Sequence, residues 1–261
     1  MSIYTLGMDI GSTTSKCVIL QDGKTILAKA LVASGTGSDG PAKALADVLN
    51  QTGLSAEQLS MTISTGYGRH NVRLAELDMS ELSCHAKGAD FIFPGVRTVI
   101  DIGGQDIKVL GVEKGVMNTF QMNDKCAAGT GRFLDVMAKV LNVDVSEMDE
   151  LAAKSTKTVQ ISSTCTVFAE SEVISQLSKG EQPCDIAAGI HRSVASKVIG
   201  LAHRVGVREP VVMTGGVSQN FDVVAALENG LGVQIATDPL SQYAGALGAA
   251  LFAYQKVMKK K

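Results

Sequence analysis

The chain opens on an apolar run, Ile3 to Ile10, which breaks at a glycine-rich polar turn and resumes as a second run from Lys16 to Gln21. Short apolar runs bounded by turn residues predict strands. Further strands are expected over Thr25 to Ala33 and Leu59 to Ser64. A helix is expected over Pro41 to Gln51, with Pro41 tolerated in its first turn, and a small-residue helix over Glu81 to Phe91. The pattern then starts again. Strands are expected near Arg97 to Ile102, Ile107 to Val112 and Met117 to Met122, and helices near Gly131 to Leu141, Val167 to Leu177 and Asp185 to Val205. An apolar strand beginning at Pro210 runs into Gly215 and Gly216, and an Ala- and Gly-rich helix over about Tyr243 to Lys256 closes the pattern.

The restart carries a sequence signature. Gly7 through Lys16 (GMDIGSTTSK) and Val99 through Lys108 (VIDIGGQDIK) each read as strand, Asp, glycine turn, polar residues and strand. No third run of this kind occurs, so the repeat is twofold. Two copies of one turn predict two similar α/β halves facing a cleft. We place the first half at 1–95 plus 240–261, discontinuous because the last helix returns to it, and the second at 96–239.

Glycines let a backbone approach phosphate oxygens, while amides and the hydroxyls of Ser12, Thr13 and Thr14 donate to them. Asp9 and Asp101 would hold a hydrated Mg2+, an ion that keeps its waters and takes few carboxylates. One such turn is as well explained by an ordinary hairpin. Two matched turns followed by Gly215-Gly216 favour nucleotide phosphate. Gly35, Gly37 and Gly40 fit a dinucleotide fingerprint, but the βαβ unit that motif requires is not evident. A Walker A sequence is absent.

Composition narrows the field. The 261 residues are 45% hydrophobic and 19% charged, which marks a folded chain able to bury a large core. A formal charge of −2, no Trp and no basic stripe argue against nucleic acid. The lysines at 259–261 read as a solvated end. No apolar run reaches membrane-spanning length, and no cationic leader precedes the first strand, so a cytoplasmic location is expected.

Five cysteines without a C-x-x-C pair form neither a disulfide framework nor a local zinc site. Cys126 and Cys165 each precede a predicted helix, whose N-terminal amides and positive partial charge favour a thiolate and an anionic iron–sulfur cluster. On spacing alone, two buried small side chains remain the commoner explanation. Cys17 falls in a strand, Cys84 beside His85 in a tightly packed helix, and Cys184 in a loop. His70, His191 and His203 show no ligand spacing.

Asp9 to Lys16 resembles the first phosphate loop of the superfamily of sugar kinases, heat-shock chaperones and actin. Asp101 to Asp106 resembles the second, and Met213 to Val217 the adenosine motif. Glu81 to Ala89 and Ala244 to Ala250 resemble the connecting helices, whose small residues permit close crossing. The resemblance implies an actin-like nucleotidase fold binding ATP or ADP with Mg2+. Gly11, Ser12, Thr13, Thr14, Lys16, Gly103, Gly104, Gly215 and Gly216 would hold the nucleotide, and Asp9, Asp101, Gln105 and Glu81 would form the catalytic set. Glu81 matches a chaperone position that helps place the attacking water, although a helix-start acid complementing the dipole explains it equally well.

A closer resemblance covers Gly7 to Ala250. Asn123 to Val136 and Ile161 to Leu177, together with the second loop, are similar to the activator component of 2-hydroxyacyl-CoA dehydratases, in the family of the benzoyl-CoA reductase ATPase subunits. It implies a homodimer with one [4Fe–4S] cluster held by Cys126 and Cys165 of each chain. It further implies an ATP-driven one-electron donor to the dehydratase, recharged by ferredoxin or flavodoxin. The rivals are a small-molecule kinase of the same superfamily, for which no acceptor-pocket insertion is evident, and a nucleotide-dependent regulator or filament protein, which has no need of the two cysteines.

Overall fold

The computed structural model describes residues 2–157, 159–162 and 165–260. The turn after the first apolar run sends the chain straight back, so β1 (Tyr4–Ile10) pairs antiparallel with β2 (Ser15–Gln21), and β2 with β3 (Thr25–Val32). On its other side β1 takes β4 (Met61–Thr65) in parallel, and β4 takes the two-residue β5 (Leu77–Asp78). The first sheet therefore runs β3-β2-β1-β4-β5.

The second sheet is built from β6 (Thr98–Ile102), β7 (Ile107–Glu113), β8 (Val116–Asn123), β9 (Val211–Thr214) and β10 (Ile235–Ala236). Its order, β8-β7-β6-β9-β10, is the first sheet again, with β6–β7 antiparallel and β9 parallel to both β6 and β10. The duplication seen in the two Asp-Gly turns thus extends to the whole sheet.

Eight helices connect the strands among the described residues: α1 (Gly40–Thr52), α2 (Glu81–Ile92), α3 (Gly131–Leu141), α4 (Met148–Ala152), α5 (Thr166–Ser178), α6 (Pro183–Val205), α7 (Phe221–Leu231) and α8 (Ala244–Lys260). β5, β10 and α4 had no counterpart in the sequence expectations, and three further details differ. α7 was not anticipated. Its signals are Asn220, whose Oδ1 accepts from Val223 N at 2.9 Å, and the left-handed Gly232 at its end. Cys184 is helical rather than in a loop, because Pro183 starts α6, where its missing N–H costs nothing. α8 continues to Lys260, so Lys259 and Lys260 lie in its last turn and complement its dipole.

The chain divides into two compact units: Met1–Val96 with Val112–Asn118 and Leu240–Lys261, and Arg97–Gly111 with Thr119–Pro239. In the first unit, Leu6, Met8, Ile10, Cys17 and Ile19 pack on Ala44 and Val48 of α1, while Val18 and Leu20 pack on Ala246, Leu247 and Ala250 of α8. In the second, Ile100, Ile102 and Val109 meet Phe133 and Met137 of α3, Ala169 and Val173 of α5, and Val194 and Val198 of α6.

The α2–α8 crossing in the first unit shows why small residues fill both helices. A Cβ on Gly88 would lie 1.9 Å from Ala244 O, and one on Gly248 would lie 1.9 Å from Cys84 O. Both obstacles are backbone, so they cannot swing aside. Gly88→Ala is expected to lower unfolding stability by about 3 kcal/mol, the upper end for overpacking. A denaturant midpoint equal to wild type would contradict this account of the crossing.

Asp185, in the first turn of α6, ties down the chain leading toward Cys165. Its Oδ1 accepts from Ser155 Oγ at 3.0 Å, Thr156 N at 2.8 Å and Lys157 N at 3.0 Å. The backbone amides of Lys157 and Thr156 hold its carboxyl below the usual carboxylate range. A lowered folded-state pKa stabilises above the unfolded value of about 3.9, and that contribution is lost as pH falls through the folded one. Asp185→Asn should therefore destabilise at neutral pH and approach wild type in acid. A stability difference that stays constant below pH 4 would contradict this.

Candidate functional site

The first glycine turn is fixed from three sides, all within the first unit. Asp9 sits on β1 opposite Lys16 of β2 and beside Thr65 of β4. Gly11 N donates to Thr14 O at 2.9 Å and closes the turn. The outward carbonyls are occupied by neighbours: Gly68 N donates to Ile10 O, and Thr36 N to Gly11 O, both at 2.9 Å. Gly11 to Thr14 are left half-buried at the surface. Asp9 itself is buried, with Oδ2 3.5 Å from Lys16 Nζ, while Oδ1 meets no hydrogen-bond partner among the described residues. A buried carboxylate oxygen without a partner carries an unmet desolvation cost, which a bound cation or its water would relieve.

Local backbone geometry explains the Gly35, Gly37 and Gly40 motif: Gly37 takes φ +80, and the other two meet backbone carbonyls. A Cβ on Gly35 would lie 2.4 Å from Ser12 O, and one on Gly40 2.1 Å from Ser34 O. Gly35 lets its segment lie against the first turn and Gly40 lets that segment close on Ser34, needs that call for no dinucleotide.

The second turn repeats the first almost bond for bond inside the second unit. Asp101 lies opposite Lys108 and beside Thr214. Gly103 N donates to Asp106 O at 2.9 Å. The loop carbonyls are again occupied, Gly103 O by Gly131 N at 2.9 Å and Gly104 O by Arg132 N at 2.8 Å. Even the glycine after the neighbouring parallel strand recurs. Gly66 has φ +84 and Gly215 φ +83, and a Cβ on either would strike the Ile10 or Ile102 carbonyl at 2.5 or 2.3 Å. Positive φ and this close approach both demand glycine. Gly215 O then accepts from Ser218 Oγ at 2.7 Å, which shapes the turn that Gly216 begins.

The two turns differ in their charges. Thr214 Oγ1 donates to Asp101 Oδ1 at 2.8 Å, and Lys108 Nζ lies 3.2 Å from Asp101 Oδ2 and 2.8 Å from Asp106 Oδ1. Lys108, Asp106 and Thr214 are site residues that sequence reasoning passed over. The available signal was the alignment of Lys108 with Lys16 in the repeat. Gln105 stands exposed at the tip of the second turn. Glu81 is the first residue of α2, with Oε1 3.9 Å from His85 Nε2 in the first unit.

Four of the five cysteines separate into two kinds. Cys17 and Cys84 are fully buried. Desolvation pushes the Cys17 thiol far above its ordinary value and the Cys84 thiol up to about 12, which keeps both protonated. Cys126 and Cys165 are half-exposed and belong to the second unit, where the helices that follow them, α3 and α5, pack on each other. Asn123 Nδ2 donates to Cys126 O at 2.8 Å, and Cys165 is the N-cap of α5. Ser163 and Thr164 of the second cysteine motif lie outside the described residues.

One expectation needs correction. The first amides of α3 were to be available near Cys126, but those of Gly131 and Arg132 are spent on the Gly103 and Gly104 carbonyls. They tie the helix after Cys126 to the second glycine turn. Beside Cys165, Val167 and Phe168 are 65% and 68% exposed, in the first turn of a helix whose Ile174 is also exposed.

The BadF/BadG/BcrA/BcrD ATPase family model matches residues 6–253. The (R)-2-hydroxyglutaryl-CoA dehydratase activating ATPase of Acidaminococcus fermentans is 67% identical over 99% of this chain and its own full length. The activator of lactoyl-CoA dehydratase of Anaerotignum propionicum is 54% identical over 99% of this chain and, again, its own full length. The crystal structure of component A of the A. fermentans dehydratase superposes with a TM-score of 0.95, covering 98% of this chain and 99% of that one at 66% identity. The activator of the Clostridium difficile 2-hydroxyisocaproyl-CoA dehydratase, solved with bound ADPNP, gives 0.96 over 99% and 97% at 52% identity. A Streptomyces griseus glucokinase, at 15% identity and TM-score 0.60 over 97% and 99%, shares the fold alone.

Proposed function

Because the chain belongs to the BadF/BadG/BcrA/BcrD ATPase family, we propose that it is an ATPase that activates a 2-hydroxyacyl-CoA dehydratase by donating one electron at the expense of ATP hydrolysis. The observation that carries this reading is the union, in one unit, of a glycine turn built for phosphate and two half-exposed thiols, with the turn hydrogen-bonded to the helix that follows one of them.

In this reading Gly11, Ser12, Thr13 and Thr14 donate to nucleotide phosphates, and Lys16 brings a positive charge to them. Gly103 and Gly104 do the same from the second turn, and Gly215 and Gly216 lie against the adenosine. Asp9 has a buried carboxylate oxygen without a partner, which suits it to a hydrated Mg2+, with Asp101 as the second acidic position. Such an ion neutralises phosphate charge and orients the reacting group. Glu81 and Gln105 position water for attack on the terminal phosphate.

Cys126 and Cys165 fit an iron–sulfur ligand set better than Cys17 and Cys84, whose burial keeps their thiols protonated. A [4Fe–4S] cluster takes four thiolates and stores and releases one electron. Two cysteines from each of two chains make up that number, so the protein is read as an isologous homodimer with the cluster on its twofold axis. The exposed Val167 and Phe168 beside Cys165 support such an interface, since apolar surface next to a ligand is covered by a partner copy. Ferredoxin or flavodoxin would recharge the cluster. A thiolate-held cluster suits a reducing cytoplasm, and no described helix is long and apolar enough to cross a membrane.

The test is reconstitution. Anaerobically purified protein, mixed with a dehydratase component, Mg-ATP and a one-electron reductant, should switch on dehydration. Omitting ATP should abolish the activation. Dehydration at the same rate without this chain, or with ADP in place of ATP, would overturn the proposal. ATP should pass its phosphoryl group to water alone. A phosphorylated sugar or short acid formed faster than free phosphate would favour a kinase instead.

A further inference from the structure

The doubled turn allows its two halves to be compared residue by residue, and they differ in charge. The first turn, from Asp9 to Lys16, holds one carboxylate and one ammonium. The second places an acid, Asp106, where the first has Thr14, so it holds two carboxylates and one ammonium. The lysines then sit differently. Lys16 Nζ is 3.5 Å from Asp9 and its side chain is 12% exposed, while Lys108 touches two carboxylates and is 2% exposed.

We infer that Lys108 is the built-in counter-cation of the second turn, a positioning residue that holds Asp101 and Asp106 together, whereas Lys16 is the lysine left able to reach nucleotide. This rests on the nucleotide-binding reading above.

Competing costs decide which lysine can move. Asp101 and Asp106 are 1% and 3% exposed, and two carboxylates this close and this buried repel each other unless a cation lies between them. Lys108 supplies it from the strand position directly opposite Asp101. With Thr214 on the other oxygen, Asp101 has its two oxygens contacted from two strands. Asp106 folds back over Gly103, where a Cβ would lie 2.5 Å from its Oδ1, so the glycine makes room for the acid. Moving Lys108 Nζ onto a phosphate would strip the cation from both acids. Moving Lys16 gives up only a loose pair with one. The lysines are thus equivalent by repeat but different in role, since Lys108 sets the shape of its turn and Lys16 binds.

The two roles predict opposite patterns. Lys16→Met should weaken Mg-ADP binding, read by calorimetry, by ~10-fold or more, as expected for a lost charge-assisted contact. It should lower the melting point of the nucleotide-free protein clearly less than Lys108→Met does, because a 3.5 Å pair with one carboxylate is lost rather than closer contacts with two. Lys108→Met should lower that melting point by about 10 °C, the scale for breaking a buried ion pair in a chain of this size. The deciding variant is Lys108→Met with Asp106→Asn, which restores the wild-type charge of the cluster. It should regain most of the lost melting temperature and bind Mg-ADP within ~3-fold of Asp106→Asn alone, because coupling between contacting charges appears as non-additivity.

A double variant no more stable than Lys108→Met overturns the counter-cation role. A stable double variant that has lost Mg-ADP binding shows instead that Lys108 itself serves the phosphate. A wild-type chain that fails to bind Mg-ADP defeats the nucleotide reading, while the melting-point comparison still decides the charge pairing.

Discussion

Cys126→Ser and Cys165→Ser, each prepared without oxygen, are expected to lose cluster iron and all electron delivery to the dehydratase, while binding Mg-ATP as wild type does. The effect is expected to be all-or-none because a serine hydroxyl would replace a thiolate in the proposed four-cysteine ligand set, which has no spare member. The half-exposed setting of both cysteines keeps the structural cost small, since neither thiol fills a core. Two measurements separate ligand loss from misfolding: iron and sulfide content, and nucleotide affinity. Full iron content in either variant would falsify the shared-ligand reading. Cys84, pushed up to about 12 and packed in the α2–α8 crossing, is a poor substitute for either. Cys84→Ala should keep its iron while losing stability to the cavity it leaves.

The second large effect lies in the glycine turns. Asp9→Asn should depress ATP hydrolysis at least ~100-fold, the scale on which single preorganised electrostatic contacts to a transition state act. The fold should survive, because among the described residues the ion pair of Asp9 is a 3.5 Å contact with Lys16. Asp101 requires a gentler substitution. Alanine there would leave the buried Thr214 hydroxyl without its acceptor, at a cost of about 1–3 kcal/mol, so Asp101→Asn, which keeps an acceptor for Thr214, is the informative variant. It should be as inactive as Asp9→Asn, with a lower melting point. Hydrolysis at the wild-type rate in either variant would remove that residue from the catalytic set.

Much of this arrangement was legible because it is encoded locally. Asp9-Ile10-Gly11 and Asp101-Ile102-Gly103 announce the turns, since glycine and Asp at fixed offsets have few other uses between apolar strands. α2 and α8 are visible as runs of small residues, because their close crossing leaves no room for a Cβ at Gly88 or Gly248. What the sequence hides is burial. Nothing in the string Gln105-Asp106-Ile107-Lys108 tells that Lys108 is among the most buried side chains of the protein, because lysine is ordinarily a surface residue. The role of Thr214 depends on β9 lying beside β6, a pairing between residues more than a hundred positions apart. The glycines at 35, 37 and 40 imitate a dinucleotide motif, because close packing against a backbone at 35 and 40, and a positive φ at 37, call for the same residue as close approach to a phosphate. The amides of Gly131 and Arg132 looked available from sequence only because their acceptors, in the second turn, are nearly thirty residues upstream.

That last contact would give the proposed coupling a physical basis within one unit. Gly103 and Gly104 are at once members of the proposed phosphate turn and acceptors for the first amides of the helix after Cys126. A shift of the turn on loss of the terminal phosphate would pull on that helix, and helix position and hydrogen bonding near a cluster are levers on its potential.

The central claim is that ATP hydrolysis gates the electron. It is tested most directly in a single turnover. The protein is reduced, freed of excess reductant, and mixed anaerobically with oxidised dehydratase component, with and without Mg-ATP, while its visible absorbance is followed. The account predicts rapid reoxidation with Mg-ATP, accompanied by release of phosphate, and none on the same timescale without nucleotide or with a non-hydrolysable analogue. Reoxidation at equal rates in all three mixtures would contradict it.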